Sequence, residues 1–171
     1  MKRFIPGLLG LFILVSCAGT GEKTSTSQNQ IQQIGEDVRK QFIPDKRVGV
    51  FDVEYRVADK QVVVKGSTTS SETKKLLFEK LSDVGYEVTD SLRLLPDAKT
   101  LENKTYGIVN LSVCNLRIED DFSSEMVTQA LLGRPVRVLD RTSWYRIQTP
   151  DNYIAWVHRA GITPMTKEEY T

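Results

Sequence analysis

The sequence has few of the residues that catalytic and metal centres use. Its 171 residues include two cysteines and a single histidine. It contains no HExxH motif, no CxxC motif and no glycine-rich phosphate loop, so neither a zinc enzyme nor a nucleotide-binding enzyme is indicated. We therefore expect no cofactor and no metal ion.

An excess of positive charge is also absent, because 23 basic side chains are balanced by 22 acidic ones. Proteins that bind nucleic acid carry a basic patch, so no nucleic-acid partner is expected. The uncharged run Phe4 to Val15 is shorter than the roughly 20 apolar residues that a membrane-spanning helix needs. Because it follows Lys2 and Arg3, it is typical of a secretory signal peptide, here residues 1–16.

The signal peptide ends in Leu14-Val15-Ser16-Cys17, which resembles the lipobox of bacterial lipoproteins. The resemblance implies cleavage before Cys17 and acylation of its thiol and amine with fatty acids such as palmitate. Two or three chains bind a bilayer firmly, because each buried methylene contributes about 0.8 kcal/mol. The alternative is an ordinary signal peptide with an incidental cysteine.

The residues after the cysteine, 17–30, are rich in Ser, Thr, Gly and Gln, which predicts a lipidated flexible tether. By resemblance to lipoprotein sorting, Ala18 favours the outer membrane, with the protein facing the periplasm. We therefore expect the lipid bilayer to be a partner, through acylated Cys17.

Residues 31–96 predict a first domain in the order helix, strand, strand, helix, strand. Apolar residues recur at helical spacing before Pro44 and again after Ser70 or Ser71, either of which can cap the second helix. The three strands are expected at Val48–Val57, Val62–Gly66 and Tyr86–Leu95.

This order resembles the BON domain of bacterial envelope proteins. The matching stretches are Val62-Val63-Val64-Lys65-Gly66, the helix from Glu72 to Val84, Gly85, and Val88-Thr89-Asp90-Ser91-Leu92. The resemblance implies that the domain contacts a membrane or an envelope ligand. The alternative is a spacer that binds no ligand of its own.

Residues 105–165, after a polar linker, predict a small β-barrel. The expected strands are Val109–Val113, Val136–Asp140, Trp144–Gln148 and Tyr153–Val157. The fold class is therefore α+β: a small BON-like αββαβ domain followed by an SH3-like β-barrel, after a lipoprotein signal peptide.

The barrel segment resembles the bacterial SH3-like (SH3b) domain. The resemblance is carried by Val113-Cys114-Asn115-Leu116-Arg117, by Glu125–Gly133, by Val136–Leu139 and by Trp144–Val157. Together these are similar to the SH3b module that precedes the catalytic domain of NlpC-type cell-wall cysteine peptidases from Bacteroides-like bacteria. Those enzymes cleave after gamma-D-glutamate in peptidoglycan stem peptides. One departure is Ala155, where the family usually has glycine.

Such a peptidase needs a cysteine nucleophile, a histidine base and a group that orients the histidine. Cys17 is expected to be acylated, Cys114 lies within a predicted strand, and His158 follows another. In the family the catalytic domain would begin near or after the last residues of this sequence. We therefore expect this chain not to be an enzyme.

Aromatic grooves of SH3-like barrels suit extended peptides. The candidate ligand-binding residues are Arg117, Glu125, Trp144, Asp151 and Tyr153. The guanidinium of Arg117 suits a carboxylate of the stem peptide, and Glu125 suits an amine such as that of diaminopimelate. Trp156 is expected in the barrel core.

The leading hypothesis is a non-catalytic envelope lipoprotein that binds or positions a peptidoglycan stem peptide or a cell-wall peptidase. The alternatives are a fragment of, or a complete, gamma-D-glutamyl-diamino acid endopeptidase, and a structural module that binds other envelope proteins.

Metabolic labelling with palmitate tests the anchor. We expect the chain to carry the label and to fractionate with membranes, and Cys17→Ser to abolish both, because no other residue is expected to be acylated. A wild-type chain that stays unlabelled and fully soluble would contradict the anchor.

Overall fold

The computed structural model describes residues 21–171, with side-chain environments from residue 27 onward. The predicted signal peptide and Cys17 lie outside the described residues. Within the described part, no helix is both long and apolar enough to cross a membrane.

The first domain is a three-stranded sheet with two helices. Its elements are α1 (Gly21–Phe42), β1 (Phe51–Ala58), β2 (Gln61–Thr68), α2 (Ser71–Asp83) and β3 (Glu87–Leu94). Strand β2 is central, antiparallel to β1 and parallel to β3. The parallel pair is joined through α2, as parallel neighbours require a crossover. The element order is the one that the sequence predicted, and the relation to BON domains stays a prediction.

Helix α1 begins within the segment whose composition predicts a tether. The side chains of Gln28, Asn29 and Gln30 are exposed, and the first core residue of the helix is Ile31. The structure therefore differs from the predicted flexible tether at residues 21–30, which are helical. Their helical backbone follows from propagation, because adding a residue to an existing helix costs far less than starting one.

Two residues of the first domain, a helix cap and a glycine within a strand, have clear structural roles. Ser70 is the residue that caps α2, since its hydroxyl accepts a hydrogen bond of 3.0 Å from the amide of Thr73. The sequence predicted that the second strand ends at Gly66. In the structure Gly66 lies inside β2, which continues to Thr68. Its φ is +130°, and a Cβ there would stand 2.0 Å from the carbonyl oxygen of Asp52. Glycine therefore allows β1 to pass close to β2.

The second domain is a seven-stranded sheet that curves around one core. Its elements are β4 (Tyr106–Val109), β5 (Val113–Arg117), β6 (Met126–Leu131), β7 (Pro135–Arg141), β8 (Trp144–Gln148), β9 (Ile154–His158), a 3₁₀ turn (Arg159–Gly161), β10 (Ile162–Met165) and α3 (Lys167–Tyr170). The strand order is β10-β4-β7-β8-β9-β5-β6. Inward side chains such as Leu116, Val138, Ile147 and Val157 fill the core.

The strand predicted at Val109–Val113 is wrong. Those residues form the end of β4, a turn and the start of β5. In the turn, the Asn110 amide donates to the carbonyl of Gly161, and the carbonyl of Ser112 accepts from Leu132. These backbone groups bond to different segments, so they cannot continue one ladder.

The predicted linker, residues 96–104, is packed against the barrel. Leu101 is 2% exposed and belongs to the barrel core, and the Asp97 amide donates to the carbonyl of Leu139. The segment therefore holds the two domains together.

The two domains share a small apolar core and an ion pair. Val50 and Leu95 of the first domain pack against Leu139 and Ile154 of the second. Beside them, the guanidinium of Arg93 donates two hydrogen bonds to the Asp140 carboxylate, at 2.9 and 2.6 Å. Such bidentate pairs fix orientation as well as adding energy. The domains therefore form one body.

Arg93→Met tests this junction. We expect it to lower the free energy of unfolding by about 2 kcal/mol, because the Asp140 carboxylate, 8% exposed, loses its charged donors. Urea denaturation followed by tryptophan fluorescence measures the change. The control Arg56→Met removes an exposed arginine that forms no ion pair among the described residues, and should change stability by less than about 0.5 kcal/mol. Equal effects of the two substitutions would refute the role of Arg93.

Candidate peptide-binding site

A pocket opens where β5 and β9 separate. The two strands pair only through Arg117 and Trp156, and beyond that point they diverge. The resulting cavity has a volume of about 250 Å³. The barrel side chains Cys114 and Val157 line it, and Leu111 and Val113 contribute further apolar surface. The pocket thus reaches the barrel core through a gap between strands.

Three rings form one wall of this pocket. Trp144 and His158 are directly opposite each other on β8 and β9, with ring centroids 5.4 Å apart. Phe122 covers both, at 4.7 Å from Trp144 and 5.1 Å from His158. Trp144 is 5% exposed, whereas Phe122 is 66% exposed. A large aromatic side chain is therefore held at the surface beside an open cavity.

Hydrogen bonds of its own polar residues fix the loop that carries Phe122. The Asp121 carboxylate accepts hydrogen bonds from the amide and the hydroxyl of Ser123, at 2.7 and 2.8 Å. The hydrogen bond from the backbone amide of Ser123 is the main cause that lowers the pKa of the Asp121 carboxyl. The hydroxyl of Thr142 donates to Asp120 at 2.8 Å, which joins the loop to the turn before Trp144. The position of Phe122 is thus set by a hydrogen-bonded frame.

Arg117 supplies the positive charge of the pocket. One of its guanidinium nitrogens donates to the carbonyl of Ser124, at the base of the same loop. Among the described residues it forms no ion pair with a carboxylate. Its other N–H groups are therefore available to a ligand, and a planar guanidinium suits a carboxylate.

The thiol of Cys114 has the properties of a structural group. It is 3% exposed and donates to the carbonyl of Gly161 at 3.3 Å. Burial raises the pKa of the thiol, which is the opposite of what a nucleophile needs. The imidazole Nδ1 of His158 accepts from the amide of Ala160 at 3.4 Å, and so caps the 3₁₀ turn.

The structure brings two of the five predicted ligand residues together in this pocket, Arg117 and Trp144. Glu125 is exposed and lies outside the pocket lining, although its backbone carbonyl accepts from Ile118 at 3.1 Å. Tyr153 is half-buried and packs against the barrel core.

Asp151 lines a different cavity, of about 480 Å³, beside β6. A hydrogen bond from Thr149 is the main cause that lowers the pKa of its carboxyl, and the charge of Arg134, which lines the same cavity, lowers it further. Asp151 and the β5–β9 pocket therefore do not form one site. Whether any of the five residues binds a ligand stays a prediction.

The prediction that Trp156 lies in the barrel core is wrong. The inward residues of β9 are Ala155 and Val157, so Trp156 points to the outer face. There it is half-buried, with the guanidinium of Arg146 5.4 Å from its ring centroid. Strand alternation correctly separates the two faces, but the identity of the core face depends on which residues the barrel encloses.

Phe122 and His158 are the site residues that sequence reasoning missed. Phe122 follows the acidic stretch Glu119-Asp120-Asp121, which in sequence is typical of a solvated loop. His158 was expected only at a strand end. The signal that unites them with Trp144 is the register between β8 and β9, which the linear sequence does not contain.

A small curved sheet of seven strands, as in the second domain, is consistent with an SH3-like domain. In agreement, residues 116–162 match the family described as bacterial dipeptidyl-peptidase SH3 domain. The matched segment includes Arg117, Phe122, Trp144 and His158, and it covers about a quarter of the chain. The match therefore supports an SH3b domain in the second half of the chain and leaves the first domain unassigned. A search of curated proteins found no match.

Alkylation tests the state of Cys114 in a Cys17→Ser chain. At pH 8 we expect iodoacetamide to modify native Cys114 at least about tenfold more slowly than the urea-unfolded chain, because the thiol is buried and its raised pKa reduces the thiolate fraction. Mass spectrometry follows the reaction. Equal rates in the native and unfolded chains would show that the thiol is accessible and reactive.

Proposed function

We propose that the chain is a lipid-anchored protein of the bacterial envelope that binds a cell-wall stem peptide in the β5–β9 pocket and does not cleave it. The observation that carries the proposal is the pocket itself. It combines the Phe122, Trp144 and His158 rings with the available guanidinium of Arg117, inside the segment that matches the SH3 family.

The chemistry of the pocket suits a short peptide with a free carboxylate. Rings and aliphatic side chains of the pocket provide apolar surface for small side chains of the peptide. The guanidinium of Arg117 provides paired N–H donors for the peptide carboxylate. Near the opening lies an acidic loop with Glu119, Asp120 and Asp121, where an amine is favoured. A stem peptide that contains gamma-D-glutamate and diaminopimelate carries both kinds of group.

The absence of cleavage is proposed from the same residues. The pocket offers one thiol, Cys114, and burial raises the pKa of that thiol while it donates to a backbone carbonyl. Among the described residues, no group of His, Cys, Asp and Glu side chains could hold a metal ion. The pocket therefore provides recognition groups without an activated nucleophile.

The envelope location is proposed from the predicted lipobox at Cys17. An acylated N-terminus on the outer membrane, facing the periplasm, would hold the two-domain body beside the wall. Tethering raises the effective concentration of a weak binding site, so modest affinity is sufficient. A cell-wall peptidase is the other partner that this location permits.

A soluble stem tetrapeptide tests the binding proposal by isothermal titration calorimetry with the Cys17→Ser chain. We expect Arg117→Ala to weaken binding by about tenfold or more, since a charge-assisted bidentate contact is lost. Phe122→Ala, at a side chain that is 66% exposed, should also weaken binding while leaving the fold intact. The control Arg56→Ala, in the first domain, should bind as the wild type does.

Two results would contradict this proposal. Failure of the tetrapeptide to bind, or binding that Arg117→Ala and Phe122→Ala leave unchanged, would remove the pocket from the function. Release of cleavage products from muropeptides, abolished by Cys114→Ala, would make the chain an endopeptidase.

A further inference from the structure

A third cavity lies on another part of the barrel, across β4, β7 and β8. Its volume is about 290 Å³, and none of its lining residues belongs to the β5–β9 pocket. Tyrosine, proline, arginine and amide side chains line it, and no carboxylate is among them. The cavity is therefore a separate concave surface with its own chemistry.

The strand register sets the polar groups of this cavity in a row. Tyr106 on β4 is opposite Arg137 on β7, and Arg137 is opposite Gln148 on β8. Neighbouring strands are about 4.8 Å apart, so the row spans roughly 10 Å. A phenol ring, a guanidinium and a carboxamide thus follow one another across the sheet.

A short C-terminal helix adds a second ring. Tyr170 of α3 stacks on Tyr106, with ring centroids 5.0 Å apart and an angle of 19° between the planes. The helix is capped by Thr166 and Glu169, which exchange side-chain to backbone hydrogen bonds of 3.3 and 2.9 Å. Tyr170 is 40% exposed, so its ring presents an accessible surface.

The polar side chains of this row are either oriented by a hydrogen bond or available to bind a ligand. The amide of Gln148 donates to the carbonyl of Asn152 at 3.3 Å, which leaves the side-chain oxygen of Gln148 as an acceptor. Among the described residues, Arg137 has no side-chain hydrogen bond or ion pair. Asn152 has a φ of +68°, and this left-handed turn brings its side chain to the cavity rim.

We propose that this cavity is a saccharide-binding site, suited to an N-acetylated amino sugar of a glycan chain. The exposed ring of Tyr170 and the half-buried ring of Tyr106 supply flat apolar surfaces for the C–H faces of a sugar ring. The guanidinium and carboxamide side chains supply fixed donors and acceptors for hydroxyl and acetamido groups.

An added peptide strand fits this cavity less well. Strands β4, β7 and β8 are internal to the sheet, each with a neighbour on both sides, so no free backbone edge faces the cavity. Only side chains are available there, and most of them are planar. The inference that the glycan is part of the cell wall rests on the proposed function. The inference that the cavity binds a sugar rests only on its lining residues.

The probe for this site is tetra-N-acetylchitotetraose, titrated into the ¹⁵N-labelled Cys17→Ser chain. We expect amide shift changes around Tyr106, Arg137 and Tyr170, and about tenfold weaker binding for Tyr170→Ala. Tyr170→Phe, which keeps the ring, should bind nearly as the wild type does. Arg137→Met should weaken binding by threefold or more, and Arg117→Ala should leave it unchanged because it lies in the other pocket.

The outcomes separate this inference from the proposed function. Absence of binding at millimolar saccharide, or binding that Tyr170→Ala and Arg137→Met leave unaltered, would overturn the saccharide site. Loss of saccharide binding in Tyr170→Ala with an unchanged stem-peptide affinity would support it as an independent site. Failure of the stem peptide to bind while the saccharide binds would refute the proposed function alone.

Discussion

The outer face of the β8–β9 hairpin must be covered, and the way it is covered determines both the domain arrangement and the pocket. Ile154, Trp156, Trp144 and Arg146 all lie on this face. The first domain covers one end, where Val50 packs against Ile154 and Asp52 pairs with Arg146. The loop that carries Phe122 covers the other end. Because apolar surface is driven out of water, this one hairpin takes part in both the domain interface and the β5–β9 pocket.

The two barrel cavities that are proposed to bind ligands differ in chemistry. One lies between diverging strands and joins a three-ring wall to the guanidinium of Arg117; the other lies across paired strands and joins two stacked tyrosines to planar polar groups. If both bind as proposed, they would bind different parts of one polymer. Two weak contacts on one barrel strengthen each other, since the second becomes intramolecular. The proposed membrane anchor would add to this effect.

Local features of the fold were predictable where they depend on neighbouring residues. Ser70 caps α2, Gly85 follows it with a φ of +90°, and strand β8 spans the predicted Trp144–Gln148. The element order of the first domain also followed from apolar periodicity. The role of Gly66 could not be predicted, because the close approach of the Asp52 carbonyl comes from a different strand.

The candidate site was predictable only in part. Arg117 and Trp144 were identified through the resemblance to SH3b domains, and both line the pocket. Phe122 and His158 join them only through the β8–β9 register and the hydrogen-bonded loop. Asp151 is close to Tyr153 and Trp144 in sequence, yet it lies at another cavity.

The sequence by itself determined the helix and strand order of the first domain, the glycine that follows α2 and the alternation of strands such as β8, since these depend on residues within a few positions of each other. It also determined the SH3b character of the second domain, through the motifs that residues 116–162 carry. Tertiary structure decided which face of β9 is the core, where the first domain is held, and which rings form a pocket. Those outcomes depend on contacts between residues far apart in sequence, such as Arg93 with Asp140 and Phe122 with Trp144. The free energy of burying apolar surface favours one arrangement only when these distant segments pack together.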